Sequence, residues 1–166
     1  MANDQRTALA VTGRITKGIL LGYGDENTIS ITKTGTAGSG TTLIKGLQQI
    51  PDIGGTAETI EITTFNDHAH TFMNGLLTYG DSIEFTCLHD ATQFQTLSSM
   101  SEKYWVVGLP DSGDTAPSND FAEIGTIAKF RGQVSVRING VGTNEALTDT
   151  IAITPSSSIE FSQVSA

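Results

Sequence analysis

The stretch TIAKFRGQVSVRI, residues 126–138, is the longest regular pattern in this chain of 166 residues. Apolar side chains occupy alternate positions, and the positions between them include Lys129, Arg131 and Arg137. A period of two places successive side chains on opposite faces of an extended strand. The stretch therefore predicts a long β-strand with one buried face and one polar, basic face.

Other segments of the chain show the same kind of pattern. In ETIEITTF, residues 58–65, the alternation predicts that Ile60 and Ile62 lie on a buried face. Residues 90–102 differ, because apolar side chains recur there every third residue, which predicts a helix. Asp90 can cap the N-terminus of this helix. Further strands are predicted over 43–51, 82–87, 104–110, 146–154 and 158–164. The predicted fold class is mainly β (α+β), with about seven strands and one helix.

Two regions lack a regular pattern. Residues 1–42 end in the small-residue run TGTAGSGTT, and we interpret them as a flexible N-terminal arm and loop. Residues 66–81, NDHAHTFMNGLLTYGD, are polar and interrupted by glycine, which predicts a long loop. Residues 43–166 are then expected to form one β-sandwich domain.

The charge is strongly negative and unevenly distributed. The net charge is −9, and residues 46–102 hold eight acidic residues without any Lys or Arg. Tight binding of nucleic acid needs Lys and Arg to neutralise phosphates, so this composition argues against it. It permits DNA to pass without adhering. We also expect no disulfide framework, since Cys87 is the only cysteine, and no membrane anchor, since no long apolar run occurs.

Motifs for catalysis or metal binding are weak. His68-Ala69-His70 has the spacing of a metal pair in cupin barrels, and Cys87 with His89 is a second possible pair. No nucleophile elbow of the G-x-S-x-G type occurs. We predict a protein that is not an enzyme and uses no cofactor. Two alternatives stay open: a β-sandwich binding or virion decoration module, and a cupin-like metal-dependent enzyme that uses these histidines.

The order of these segments along the chain resembles that of a known protein family. The strand ETIEITT (58–64), the loop residue Asp67, the element with Gly75-Leu76 and Gly80, the strand SIEF (82–85) and the following helix occur in that order. This arrangement resembles the major tail tube protein of long-tailed, siphovirus-type bacteriophages. The closing stretch 149–161 is similar to the last strands of that family, so the resemblance extends over residues 43–166.

The resemblance implies a fold and a role. The fold is a β-sandwich or barrel-like tail tube fold with one flanking α-helix, shared with secretion-system tube proteins. Subunits of that family form hexameric rings that stack into a hollow tube, which conducts the DNA genome into the host. The implied partners are further copies of the chain, the tape-measure protein inside the tube, and tail terminator and distal tail or baseplate proteins at its ends. The implied location is the virion tail, assembled in the host cytoplasm.

Candidate residues follow from combining the patterns with this role. Glu61 and Glu84 lie on the polar faces of alternating strands, so we expect them to face the lumen. The arm and the long loop are expected to contact neighbouring subunits, and the basic strand face is expected to meet acidic residues of an adjacent subunit. The candidates for contacts between subunits are Asp67, His68, His70, Phe72, Met73, Lys129, Arg131 and Arg137.

Overall fold

A computed structural model describes residues 19–110 and 123–164, and these form ten strands and one helix. The first half contains β1 (Leu20–Gly24), β2 (Thr42–Leu43), β3 (Leu47–Gln49), β4 (Thr56–Glu61), β5 (Phe72–Thr78) and β6 (Ile83–Leu88). The second half contains α1 (Ala91–Ser98), β7 (Lys103–Pro110), β8 (Ile124–Ile138), β9 (Thr148–Pro155) and β10 (Glu160–Gln163). The predicted mainly β fold with one helix is confirmed.

Eight strands form one antiparallel sheet in the order β2-β1-β7-β8-β9-β6-β3, with β10 paired to β8 off this path. The long strand β8 is the middle strand of this order and pairs with three other strands. Its first part pairs with β7 on one edge and with β10 on the other, and its last part, from Gly132 onward, pairs with β9. Among the described residues, the remaining two strands, β4 and β5, pair only with each other.

The strand β8 has one buried face and one polar face, as its alternating sequence predicts. Ala128 and Phe130 are buried in the main core, whereas Arg131 and Arg137 are exposed on the other face. Side chains of β1, β6, β7, β8 and β9 form that one core cluster, so the sheet curls around it. Trp105 is fully buried there and donates its indole N–H to the carbonyl oxygen of Gly132 at 3.2 Å.

The helix begins where the sequence predicts. Asp90 caps it, because its side chain accepts a hydrogen bond from the backbone N–H of Gln93 at 2.9 Å. The Gln93 side chain does not complete a capping box. Its Oε1 instead accepts from the backbone N–H of Lys45 at 2.9 Å, which ties α1 to the segment before β3. Leu97 anchors the helix in the core.

The boundary at residue 42 does not separate two structural units. The strand β1 lies inside the large sheet, with Leu20 and Leu21 buried, and Ile29 and Ile31 form a second small core with residues of β7 and β8. The sequence concealed this because only the short stretch around Ile29 to Ile31 alternates clearly in the first 42 residues. The earlier part of the interpreted arm, residues 1–18, lies outside the described residues.

Two expectations for the region after β3 are wrong. Residues 66–81 are not a loop, since β5 occupies much of this segment and pairs with β4. A shift in register near Gly75 breaks the alternation, which is why the sequence hides the strand. Ile60 and Ile62 are not buried, because their exposed fractions are 49% and 46%. Within the part of the chain that the structure describes, the hairpin β4–β5 stands away from the core, and its large apolar side chains stay exposed.

Within the described residues, no helix is long and apolar enough to cross a membrane.

Candidate assembly surfaces

The hairpin β4–β5 exposes an unusual amount of apolar surface. Ile60 pairs with Met73 and Glu61 with Phe72, and successive pairs in an antiparallel ladder lie on opposite faces, so both faces carry apolar side chains. Monomeric proteins rarely expose contiguous apolar surface of this extent unless another molecule covers it. The exposed large apolar residues of the hairpin are Ile60, Ile62, Phe65, Phe72, Met73, Leu76 and Leu77.

Polar contacts order the tip of the hairpin. The ring Nδ1 of His70 lies 2.5 Å from Glu61 Oε1, and the Thr63 hydroxyl donates to the same oxygen at 2.8 Å. Asp67 accepts from the backbone N–H and the hydroxyl of Thr64, at 2.6 and 3.0 Å. The hydrogen bond from His70 lowers the pKa of Glu61, and the bonds from Thr64 lower the pKa of Asp67. The apolar tip is therefore held in a defined shape.

A single substitution tests this geometry. In His70→Ala, the pKa of the Glu61 carboxyl should rise towards its ordinary value, because the largest interaction that favours the ionised form is gone. Titration of the Glu61 side chain by NMR measures the change, in conditions where the chain is monomeric. His68→Ala is the control, since His68 makes no hydrogen bond to Glu61. An unchanged Glu61 pKa in His70→Ala, or an equal rise in the control, would contradict the pairing.

The exposed face of β6, β9 and β8 brings together Glu84, which we expected to face the lumen, and Arg137, which we expected to contact another subunit. Nη1 and Nη2 of Arg137 each lie 3.3 Å from one carboxylate oxygen of Glu84. The ion pair crosses β9, which lies between the two strands. The charge of Glu84 is thus balanced by Arg137 of the same chain. The face around this ion pair carries small polar side chains such as those of Thr86 and Ser135.

The other two basic candidates also have partners within the chain. Nη2 of Arg131 lies 2.5 Å from Glu102 Oε2, and its guanidinium carbon lies 5.9 Å from the centre of the Tyr104 ring. Lys129 donates to the carbonyl oxygen of Asn27 at 3.3 Å. The three cations share one face of β8, as predicted, but each already contacts a carboxylate or a carbonyl oxygen of the same chain. A contact of Arg131 or Arg137 with acids of an adjacent subunit has to compete with these ion pairs.

The acidic residues of the stretch 46–102 are concentrated at the hairpin. Glu84 lies on the sheet face, Asp90 caps α1 and Glu102 pairs with Arg131. The other five of the eight lie on the hairpin or in the segments that connect it to β3 and β6. They are Asp52, Glu58, Glu61, Asp67 and Asp81. Glu61 and Glu84, both expected to face the lumen, therefore belong to different sheets.

The two possible metal pairs lie on different elements. His68 and His70 are at the tip of the hairpin, whereas Cys87 and His89 are at the far end of β6. His89 Nδ1 lies 2.9 Å from both carboxylate oxygens of the buried Asp149, which engages that nitrogen. In the described part of the chain, no group of three or more His, Cys, Asp or Glu side chains is placed to hold a metal ion.

Cys87 should be chemically inert in the folded chain. Burial, together with the charge of Asp149, raises the pKa of its thiol to about 11. The thiolate is the reactive form, so at pH 8 its population should be about a hundredfold lower than for an unperturbed cysteine of pKa 9.0. Iodoacetamide should label Cys87 slowly in the native protein and rapidly in urea. Equal labelling rates in both conditions would contradict this environment.

Comparisons with known proteins define the fold more closely than the sequence does. No protein-family description matches the chain, and no curated protein resembles it in sequence. Among solved structures, it is similar to a chain in the structure described as "Cryo-EM structure of the anti-feeding prophage (AFP) baseplate, 6-fold symmetrised". The TM-score is 0.55 at 14% identity, over 89% of this chain and 94% of that chain. It also matches a chain described as "Crystal structure of Hcp protein", with a TM-score of 0.43 at 9% identity, over 87% and 98%. The first likeness shows that the two chains share a fold.

Proposed function

We propose that this protein is a structural subunit that self-assembles into stacked hexameric rings, forming the hollow tail tube of a long-tailed bacteriophage. The hairpin β4–β5 carries this proposal. It exposes seven large apolar side chains on two faces, and it keeps an ordered tip without joining either core cluster of the described residues. Such a hairpin is suited to insertion between neighbouring copies, where both faces are covered at once.

The shared fold supports the same role. The similar chain comes from a prophage baseplate particle to which six-fold symmetry was applied. A subunit of this fold in a six-fold particle supports rings of six copies. We therefore assign the chain a structural and not a catalytic role, in the virion tail.

We further propose that the exposed face of β6, β9 and β8 lines the channel. Over the part of this face where β8 pairs with β9, from Gly132 to Ile138, the charges of Glu84 and Arg137 balance each other, and the other side chains are mostly small and polar. A wall without excess positive charge does not trap the phosphates of DNA as they pass. The hairpin carries Glu61, so we assign that residue to contacts between subunits together with Asp67, His68, His70, Phe72 and Met73.

The remaining partners follow from this role. A tube of this kind encloses a tape-measure protein during assembly in the host cytoplasm, and it is closed by terminator and distal tail or baseplate proteins. Genomic DNA passes through during ejection without specific binding.

Electron microscopy of the purified full chain at increasing concentration tests the proposal. Rings with six-fold symmetry, or hollow filaments built from them, are the expected result. A protein that stays monomeric at every concentration, or that closes into a small oligomer without a central channel, would refute it. A structure of the filament then locates Glu84, and a position on the outer wall would overturn the assignment of the channel face.

A further inference from the structure

Within residues 19–110 and 123–164, the charge of Lys45 has no partner. Among residues 19–110 and 123–164, the other five Lys and Arg side chains each contact a carboxylate or a carbonyl oxygen. Lys45 is exposed, and only its backbone is held, by the side chain of Gln93. The bond between Leu88 N–H and Gly46 O, at 2.9 Å, places Lys45 beside the end of β6.

Exposed apolar side chains surround the same end of the sheet. Leu88 ends β6 opposite Thr148, and Ile138 ends β8 opposite Asp149. The backbone N–H of His89 donates to Leu147 O at 3.0 Å, which brings the start of β9 to the same place. We call this end of the sheet the rim and define it by four exposed apolar residues, Leu88, Ile138, Val141 and Leu147, together with Lys45.

The hairpin leaves the sheet at the opposite end. It connects to the body through the segment before Ile83, the first residue of β6, whereas the rim includes Leu88, the last. Five residue steps of about 3.3 Å separate these positions by roughly 17 Å along the strand. One end of the sheet therefore carries an apolar projection, and the other carries an exposed apolar margin.

The charges that stay unpaired at the two ends have opposite signs. At the rim, the carboxylates of Asp90 and Glu145 accept from the backbone N–H groups of Gln93 and Gly142, and Asp149 contacts the ring of His89. Asp52, Glu58 and Asp81 lie on the hairpin or at its base, and within the described residues their carboxylates have no hydrogen-bond or ion-pair partner. The unpaired ammonium of Lys45 lies at the other end. Two surfaces with unpaired charges of opposite sign, each rich in apolar side chains, meet the requirements for specific association.

We infer that the rim of one copy is the surface that receives the hairpin of the next copy, with Lys45 facing the acidic residues at the hairpin. The inference rests on the proposed function and specifies its partner surface. The contact is head-to-tail, because the two surfaces differ and lie at opposite ends of the sheet, so repeating it extends a stack. Lys45 supplies alignment more than affinity, and the apolar side chains supply most of the free energy.

Cross-linking of assembled filaments tests this contact directly. A carbodiimide joins a lysine amine to a carboxylate in contact with it, and mixing chains of natural and heavy nitrogen isotopes identifies links between copies. We expect intermolecular links from Lys45 to Glu58, Asp52 or Asp81. Links from these carboxylates to Lys129 instead, or no link to Lys45 in well-formed filaments, would overturn the inference. If the wild-type chain forms no filaments, the proposed function itself fails, and the two failures are thereby distinguished.

Substitutions in the rim give an independent measurement. Val141→Ser with Leu147→Ser should raise the concentration needed for filament formation about tenfold or more, because two apolar side chains lose burial in the contact. Phe161→Ser is the matched control, since Phe161 is an exposed apolar residue on β10, away from the rim. Both chains should unfold at the same urea concentration as wild type. An unchanged critical concentration in the rim variant, or an equal increase in the control, would contradict the inference.

Discussion

Replacing Phe72 and Leu76 by serine should abolish polymerisation of the purified chain while the monomer stays folded. Both side chains lie on the hairpin, with exposed fractions of 58% and 82%, so the monomer gains little from them. Burial of such a side chain in a contact stabilises it by about 1.5–3 kcal/mol. The loss recurs at every contact along a stack, so filaments should disappear at concentrations where the wild type assembles.

Sedimentation and electron microscopy measure the assembly, and urea unfolding measures the monomer. Asn74→Ser is the matched control, because Asn74 is an exposed polar residue on the same strand. It should assemble as the wild type does. Filaments that persist in the double variant would show that the hairpin is not an assembly surface. A loss of monomer stability well above 1 kcal/mol would show that these side chains support the fold instead.

Trp105→Ala should cost about 3–5 kcal/mol of the free energy of unfolding. The ring is fully buried in the main core, lies 5.5 Å from the ring of Tyr23 and bonds to Gly132 O. Truncation leaves a cavity between β7, β8 and β1 and removes the hydrogen bond from the indole N–H to Gly132 O. Since small domains are stable by only about 5–15 kcal/mol, this change should consume much of the stability.

Urea unfolding followed by circular dichroism measures the effect. Trp105→Phe separates the contribution of ring packing from that of the hydrogen bond, because it keeps an aromatic ring in the core but lacks the indole N–H. Its loss should be clearly smaller than that of Trp105→Ala. Phe161→Ala, at an exposed ring on β10, should be within about 0.5 kcal/mol of wild type. A loss below 1 kcal/mol in Trp105→Ala would mean that the core does not form as described.

Local sequence patterns correctly predicted those elements whose apolar face is also the face that the rest of the fold covers. The alternation over 126–138 predicted β8 and its two faces, and the residues after Asp90 predicted α1 and its cap. The segment YWVVGLP, residues 104–110, predicted the strand β7, which contributes Trp105 to the core. These segments lie next to other strands of the same sheet, so the apolar face indicated by the sequence is the face that is covered.

The hairpin shows where local pattern fails. In β4 the alternation of Ile60 and Ile62 correctly indicates a strand, but it does not indicate whether another element covers the apolar side chains. In β5 a shift in register near Gly75 breaks the alternation, so the strand looks like a loop. Phe72 and Met73 were identified as contact candidates from the resemblance, whereas the rim residues Leu88, Val141 and Leu147 carried no local signal.

By itself, the sequence determined the mainly β class, the positions of the main strands, and the excess of acidic residues over 46–102, because these depend on composition and on neighbours along the chain. Only the tertiary structure decided that Glu84 pairs with Arg137 across β9, that five of the acids gather at the hairpin, and that Lys45 lies at the opposite end with no charged partner among the described residues. Those relations join residues that are distant in sequence. They are set by strand order and register, which the pairing of whole strands fixes and no single segment encodes.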